Sequence, residues 1–174
     1  MSRPTLLFLL LALGVVLADQ LTKAWVVASF APADALAAAG SPGAPTEVLG
    51  TLVRIARTAN AGGIFGLFGD AALPLALAGS LVCVAIVVVQ LRAGRSDPLL
   101  AAALGLLLGG ALGNLVDRVR LGYVVDFVDA GIGDLRWYTF NVADAAISIA
   151  IVLLLVHAAV GGRSRPAGPA GGAA

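Results

Sequence analysis

Apolar residues fill four stretches of this chain that are long enough to cross a bilayer, and polar residues gather at the ends of those stretches. A helix needs about 20 apolar residues to span the hydrocarbon layer. The first stretch covers about residues 5–30; it is unbroken to Ala18, then carries Asp19, Gln20 and Lys23 before a second apolar run at 24–30. The second, about 71–91, contains no charge, and its Pro74 falls in the first helical turn, where proline is tolerated. The third opens with Asp97 as an N-cap and Pro98 at the first helical position, and runs to about residue 116. The fourth spans about 138–160. Four transmembrane helices are therefore expected.

The start of the first stretch also has the outline of a signal peptide: Arg3, an apolar run, and a small residue at Ala18. The smooth continuation through Asp19-Gln20-Leu21-Thr22-Lys23 into more apolar sequence makes a longer spanning helix the simpler reading. The connections differ in kind. Residues 92–97 form a tight turn, whereas 31–47 is an Ala/Pro/Gly-rich tract that reads as a flexible loop. Residues 48–57 alternate, with Thr51, Val53 and Ile55 on one face and Leu52, Arg54 and Ala56 on the other. Such alternation predicts a short strand or two outside the bilayer. The Gly/Ala/Pro-rich tail, 161–174, is expected to be disordered.

Composition agrees with this pattern. Of 174 residues, 60% are hydrophobic and only 12% charged, against about 25% in soluble domains. Too little polar side chain remains to coat a globule, so much of the surface faces lipid. The net charge is +1 with its basic residues thinly spread, which leaves no stripe for nucleic acid. Cys83 is the single cysteine and His157 the single histidine, each inside an apolar run. Neither a disulfide nor a Cys/His metal site follows; Cys83 reads as a small buried hydrophobe and His157 as a packing or interfacial residue. Four spans put Arg3, Arg92, Arg95, Arg163 and Arg165 on one side, and Arg54, Arg57, Arg118, Arg120 and Arg136 on the other. Charge bias therefore leaves the orientation undecided.

Candidate chemistry lies at one level. With alternating helix direction, Asp19, Lys23, Asn60, Asn114, Asp117, Asn141 and Asp144 all fall on the same side. An ionisable group within a spanning helix costs roughly 2.5–3.5 kcal/mol on insertion scales, so such groups mark a function or a tight pair. Asp19 and Lys23 stand four residues apart with the acid first, a favourable ion-pair order that reads as a structural anchor. Asn114, Asp117 and Arg118 share a helix face, as do Asn141, Asp144 and Ser148. Gly105, Gly109 and Gly113 recur every four residues, a smooth stripe for close helix packing.

Asp126 lies in an apolar segment, Val124-Val125-Asp126-Phe127-Val128, that reads as a loop. Should it meet Asp144, two partly desolvated carboxylates could not both ionise easily, and one would keep a proton while the other acted as base. That division suits general acid/base attack of water on an amide. On spacing alone, each acid could equally well pair with an arginine such as Arg118 or Arg136.

Five segments together resemble the lipoprotein signal peptidases (signal peptidase II). They are Asp19-Gln20-Leu21-Thr22-Lys23; Asn60-Ala61-Gly62-Gly63-Ile64-Phe65-Gly66; Gly109-Gly110-Ala111-Leu112-Gly113-Asn114-Leu115-Val116-Asp117-Arg118; Val125-Asp126-Phe127; and Phe140-Asn141-Val142-Ala143-Asp144. Each is weak alone; in this order across four spans they are specific. The resemblance implies an all-α membrane protein of four transmembrane helices with a small extracytoplasmic β-lobe (about residues 31–66), a single peptidase domain over 1–160, and a cytoplasmic tail at 161–174. It also implies a place in the bacterial cytoplasmic (inner) membrane with both termini cytoplasmic. The implied reaction removes the signal peptide from diacylglyceryl-modified prolipoproteins just before the lipidated cysteine, with no cofactor or metal; membrane lipids are the other partner implied. The motifs carry the catalytic aspartates onto Asp126 and Asp144. Asn60, Gly62, Asn114, Arg118 and Asn141 fall at positions that bind substrate or orient the site, and Asp19, Lys23 and Asp117 at supporting positions. This chain departs from the common pattern at Ala61, where Thr or Ser is frequent, and at Gly63-Ile64, where two small residues are usual. Two other readings fit the clustered polar residues less well: a small transporter or proton relay would want its acids near the midplane, and an assembly protein would leave the asparagines unexplained.

Overall fold

The computed structural model describes residues 1–32, 45–61, 72–92 and 97–161. Four helices in it are long and apolar enough to cross a membrane: α1 (Arg3–Ser29), α2 (Ala72–Arg92), α3 (Pro98–Leu121) and α4 (Val142–Gly161). Their outer faces expose large aliphatic side chains such as Leu81 and Leu155, as a lipid-facing surface requires. The helix starts follow local chemistry. Ser2 accepts a hydrogen bond from the Thr5 amide with Pro4 in the first turn, and Asp97 Oδ1 accepts from the Leu99 and Leu100 amides with Pro98 at N1. Helix α3 ends at Gly122, whose φ of 79° is the left-handed cap conformation that glycine adopts without strain.

Helix α3 is the axis of the bundle and packs against α1, α2 and α4. Its glycines let the neighbours approach at backbone distance. A methyl group at Gly109 would lie 2.7 Å from the Ala12 carbonyl oxygen of α1, and one at Gly110 would lie 2.5 Å from the Ala143 carbonyl oxygen of α4. The apolar core beside this stripe is built from Phe8, Ala12, Cys83, Ile86, Leu104 and Leu108. Cys83 is thus a buried hydrophobe. His157 of α4 bonds Asp97 at 2.8 Å, joining that end of α4 to the cap of α3.

Outside the helices lies a four-stranded antiparallel sheet in the order β1 (Thr46–Leu49), β2 (Val53–Asn60), β3 (Val124–Ile132), β4 (Leu135–Arg136). The alternation at 48–57 accounts for the first two strands. The segment around Asp126, read above as a loop, is instead the interior strand β3. Its buried run Val124–Phe127 lies between β2 and the bundle, which an alternation rule does not detect because the strand is apolar on both faces. The lobe therefore draws on residues beyond 31–66. Helix α3 also continues past residue 116 to Leu121, and the fourth helix begins at Val142 rather than near 138. Residues 137–139 belong to no helix or strand, and Phe140 bridges Val128. Most of the tract at 31–47 and the tail from 162 onward lie outside the described residues.

Because the contact at Gly110 is against backbone, Gly110→Val is expected to destabilise the bundle by about 1–3 kcal/mol through overpacking. Gly79→Ala on α2, where a methyl meets nothing within 4 Å, is expected to change stability by less than about 1 kcal/mol. Thermal unfolding of both variants in detergent measures the difference.

Candidate active site

The polar residues that the spacing placed at one level converge in two tiers. The deeper tier is centred on the Lys23 ammonium of α1, which is buried. It lies 2.8 Å from Asp19 Oδ2, 2.9 Å from Asp117 Oδ2 of α3, and donates to Asn114 Oδ1 at 3.1 Å. Three donors thus meet three acceptors. The carboxylates are shared in turn. Asp19 Oδ1 accepts from the Ala143 amide in the first turn of α4 at 3.0 Å, and Asp117 Oδ2 accepts from the Val125 amide on β3 at 3.0 Å. Gln20 Nε2 reaches Asp117 Oδ1 at 3.0 Å, and Asp19 Oδ2 and the Gly113 carbonyl at 3.2 Å each. Spacing had assigned Gln20 no part; its signal was an amide inside a spanning run, next to an acid.

The upper tier holds Asp126 and Asp144. Asn141 is the N-cap of α4, and Asp144 is its third residue. The Asp144 amide donates to Asn141 Oδ1 at 2.9 Å, while the Asn141 amide donates back to Asp144 Oδ2 at 3.3 Å. This is a capping box built from Asn and Asp. The Asn141 carboxamide then donates to Asp126 Oδ1 at 2.7 Å and to Asn114 Oδ1 at 3.1 Å. Asn114 Nδ2 donates to Asp144 Oδ1 at 2.7 Å, and Asn60 Nδ2, from the end of β2, donates to Asp126 Oδ2 at 3.0 Å. Three asparagines therefore give two N–H donors to each carboxylate, and Asn141 touches both.

Neither acid pairs with an arginine among the described ion pairs. Arg136 binds Asp129 at 2.9 Å instead, and Arg54 binds the same carboxylate. Burial works against the charge on Asp129, but Arg136 and Arg54 outweigh it and hold that carboxyl below its ordinary range. Asp126 goes the other way. Burial, and then the charge on Asp144, push its pKa up to about 7. The folded protein thus holds a proton at Asp126 that the unfolded chain has shed above about pH 4, so this group weakens folding as pH rises from there towards 7.

Both aspartates line a cavity of about 650 Å³, within the range of ligand sites. Asn60, Asn114 and Arg118 also line it, with Trp137, Tyr138 and Phe140 on the sheet side, and Leu75 and Ile147 on the helix side. Two buried polar atoms at this cavity, Asn60 Oδ1 and Arg118 Nε, have no hydrogen-bond partner among the described residues. Gly62 lies outside the described residues. Trp137 and Tyr138 were not singled out from the sequence, because they follow an apolar hairpin whose path the pattern did not reveal. Among the described residues, no group of three His, Cys, Asp or Glu side chains is placed to hold a metal ion.

Comparison with known proteins places this geometry in context. The family model described as signal peptidase (SPase) II matches residues 11–160. The lipoprotein signal peptidase of Syntrophus aciditrophicus (strain SB) is 37% identical over 163 residues, covering 90% of this chain and 94% of that protein. That of Moorella thermoacetica (strain ATCC 39073 / JCM 9320) is 38% identical over 147 residues, covering 84% and 89%. A bacterial membrane enzyme solved by the in meso method at 2.3 Å resolution superposes with a TM-score of 0.78 at 26% identity, covering 95% of this chain and 94% of the other.

Replacing Lys23 by Met would leave two buried carboxylates facing each other without their cation. It is expected to destabilise the fold by about 3–5 kcal/mol. Thermal unfolding should show the loss, with partial recovery in the triple variant Asp19→Asn, Lys23→Met, Asp117→Asn.

Proposed function

The chain belongs to the signal peptidase II family and removes signal peptides from prolipoproteins, and from that premise we propose that it does so as an aspartic endopeptidase through Asp126 and Asp144. The observation that carries the proposal is the Asn141 link. One residue bonds both carboxylates at the floor of one cavity, and the charge of Asp144 raises the pKa of Asp126. Two acids in that relation hold one proton between them.

In the proposed reaction the ionised aspartate takes a proton from water as the water oxygen bonds to the scissile carbonyl carbon. The protonated aspartate supplies its proton to the carbonyl oxygen. When the tetrahedral centre collapses, the C–N bond breaks, the amine nitrogen takes a proton from the acid that had received one from water, and a hydroxyl of the tetrahedral carbon returns its proton to the other aspartate as the new carboxyl group forms. The pair returns with one proton shared. The neutral amides of Asn60, Asn114 and Asn141 suit this cycle, because they orient carboxylates without fixing both in the charged form. Asn60 Oδ1, without a partner among the described residues, would accept from a substrate peptide N–H, and Arg118 Nε would donate to a substrate carbonyl. Gly62 falls at a motif position that would bind substrate or orient the site. Asp19, Lys23 and Asp117 support the asparagines and take no part in proton transfer.

The substrate in this reading is a diacylglyceryl-modified prolipoprotein, cut just before the lipidated cysteine. Leu75 and Ile147 give the cavity an apolar side between α2 and α4, where diacylglyceryl chains would lie in contact with membrane lipid. The placement that fits is the bacterial inner membrane, with both termini cytoplasmic and the sheet and cavity near the extracytoplasmic face. Family membership does not favour the alternative of a small transporter or proton relay.

Asp126→Asn and Asp144→Asn, assayed in detergent on a lipid-modified prolipoprotein, are each expected to lower kcat by about 10³-fold or more while unfolding near the wild-type temperature. Cleavage surviving in either variant rejects the dyad. The pH profile of kcat/KM is a separate check. The single shared proton leaves as pH passes the raised Asp126 value of about 7, so activity should fall on that alkaline side. A profile flat through this region would remove the proton-sharing step.

A further inference from the structure

The sheet ends in an apolar tip that no described part of the chain covers. Ile132 is 74% exposed, Leu135 82% and Trp137 74%, and the neighbouring turn adds Leu49 at 65% and Leu52 at 54%. The strand register brings the two turns together: the Gly131 amide donates to the Leu52 carbonyl at 2.9 Å, and Ile132 pairs with Leu135. Asn60 and Val124 sit at the opposite end of the same ladder, beside the aspartates. Five large apolar side chains at one corner exceed what a water-facing lobe scatters singly over its surface.

We propose that this tip is inserted into the headgroup and acyl boundary of the bilayer, so that the sheet lies along the membrane surface rather than standing away from it. The inference rests on the membrane-spanning assignment of the four helices. Three observations favour lipid over another occupant. The hairpin runs directly into a spanning helix: Leu135 is seven residues before Val142, a reach of at most about 25 Å even if fully extended. The connecting residues include Trp137 and Tyr138, the residue types that settle at membrane interfaces. Of the charges near the tip, Asp129 takes Arg54 and Arg136, and Arg136 also donates to the Thr51 carbonyl, while the exposed Asp134 at the turn would stay in the headgroup layer. Arg136 and Trp137 line the cavity as well, so an inserted hairpin would hold that wall at the depth where a lipid-anchored peptide arrives.

The two tryptophans make the test direct. Trp25→Phe leaves Trp137 as the reporter, and Trp137→Phe leaves Trp25 on α1 as the membrane reference. Each variant of the full chain is reconstituted in phosphatidylcholine vesicles with acyl chains brominated near the headgroup. The expected result is at least twofold quenching of Trp137 by the brominated lipid, little quenching by acrylamide, and loss of most of the lipid quenching when Ile132→Asn and Leu135→Asn are added. If Trp25 is quenched but Trp137 is not, the inserted tip is rejected while the spanning helices stand. Shielding of Trp137 from both quenchers would likewise reject it, in favour of a protein cover such as residues 33–44 or a second copy. Lipid quenching of Trp137 that survives the double substitution rejects insertion through the tip. If neither tryptophan responds to brominated lipid, the membrane assignment falls with it.

Discussion

A single buried ammonium group governs how the site is assembled. Lys23 is placed within the apolar part of a spanning helix, where an unpaired charge would be costly, and its three N–H groups meet three partners: Asp19, Asp117 and Asn114. Meeting that demand fixes α1 against α3 at one level. The carboxylates, once engaged, use their remaining capacity on backbone amides, Asp19 on Ala143 of α4 and Asp117 on Val125 of β3. The same electrostatic requirement therefore locates the starts of the two elements that carry Asp144 and Asp126.

The chemistry inherits its direction from this tier. Asn114 must turn its oxygen towards Lys23, so its amide nitrogen faces Asp144. Asn141 must turn its oxygen back to cap α4, so its nitrogen faces Asp126. Neither asparagine is free to flip, since each flip would set oxygen against carboxylate. Each acid ends with two neutral N–H donors, Asp126 from Asn60 and Asn141 and Asp144 from Asn114 and the Asn141 backbone. Close helix packing is the other half of the arrangement. Gly113 admits Asp19, with a hypothetical methyl only 2.6 Å from its Oδ2, and Gly110 admits the first turn of α4. Larger residues there would hold the tiers apart.

Much of this was legible in the sequence. Hydropathy gave the four helices because the bilayer demands apolar length, and the caps at Asp97 and Gly122 punctuate them locally. The clustering of Asp19, Lys23, Asn114, Asp117, Asn141 and Asp144 at one level followed from alternating helix direction. The spacing of Asn141 and Asp144 also contained a capping box, in a form that Asn and Asp provide in place of Ser and Glu. Strand β3 was misread as a loop because burial on both faces erases the period of two.

What the chain alone determined, then, was which residues are polar within an apolar setting and which side of the bundle they occupy. These follow from helix period and from the free energy of moving side chains between water and lipid, both of which act locally. It left open whether Asp126 and Asp144 pair with arginines or share one site, because that depends on contacts between residues far apart in the chain. Tertiary structure decided it by spending Arg54 and Arg136 on Asp129 and by setting Asn141 between the two acids.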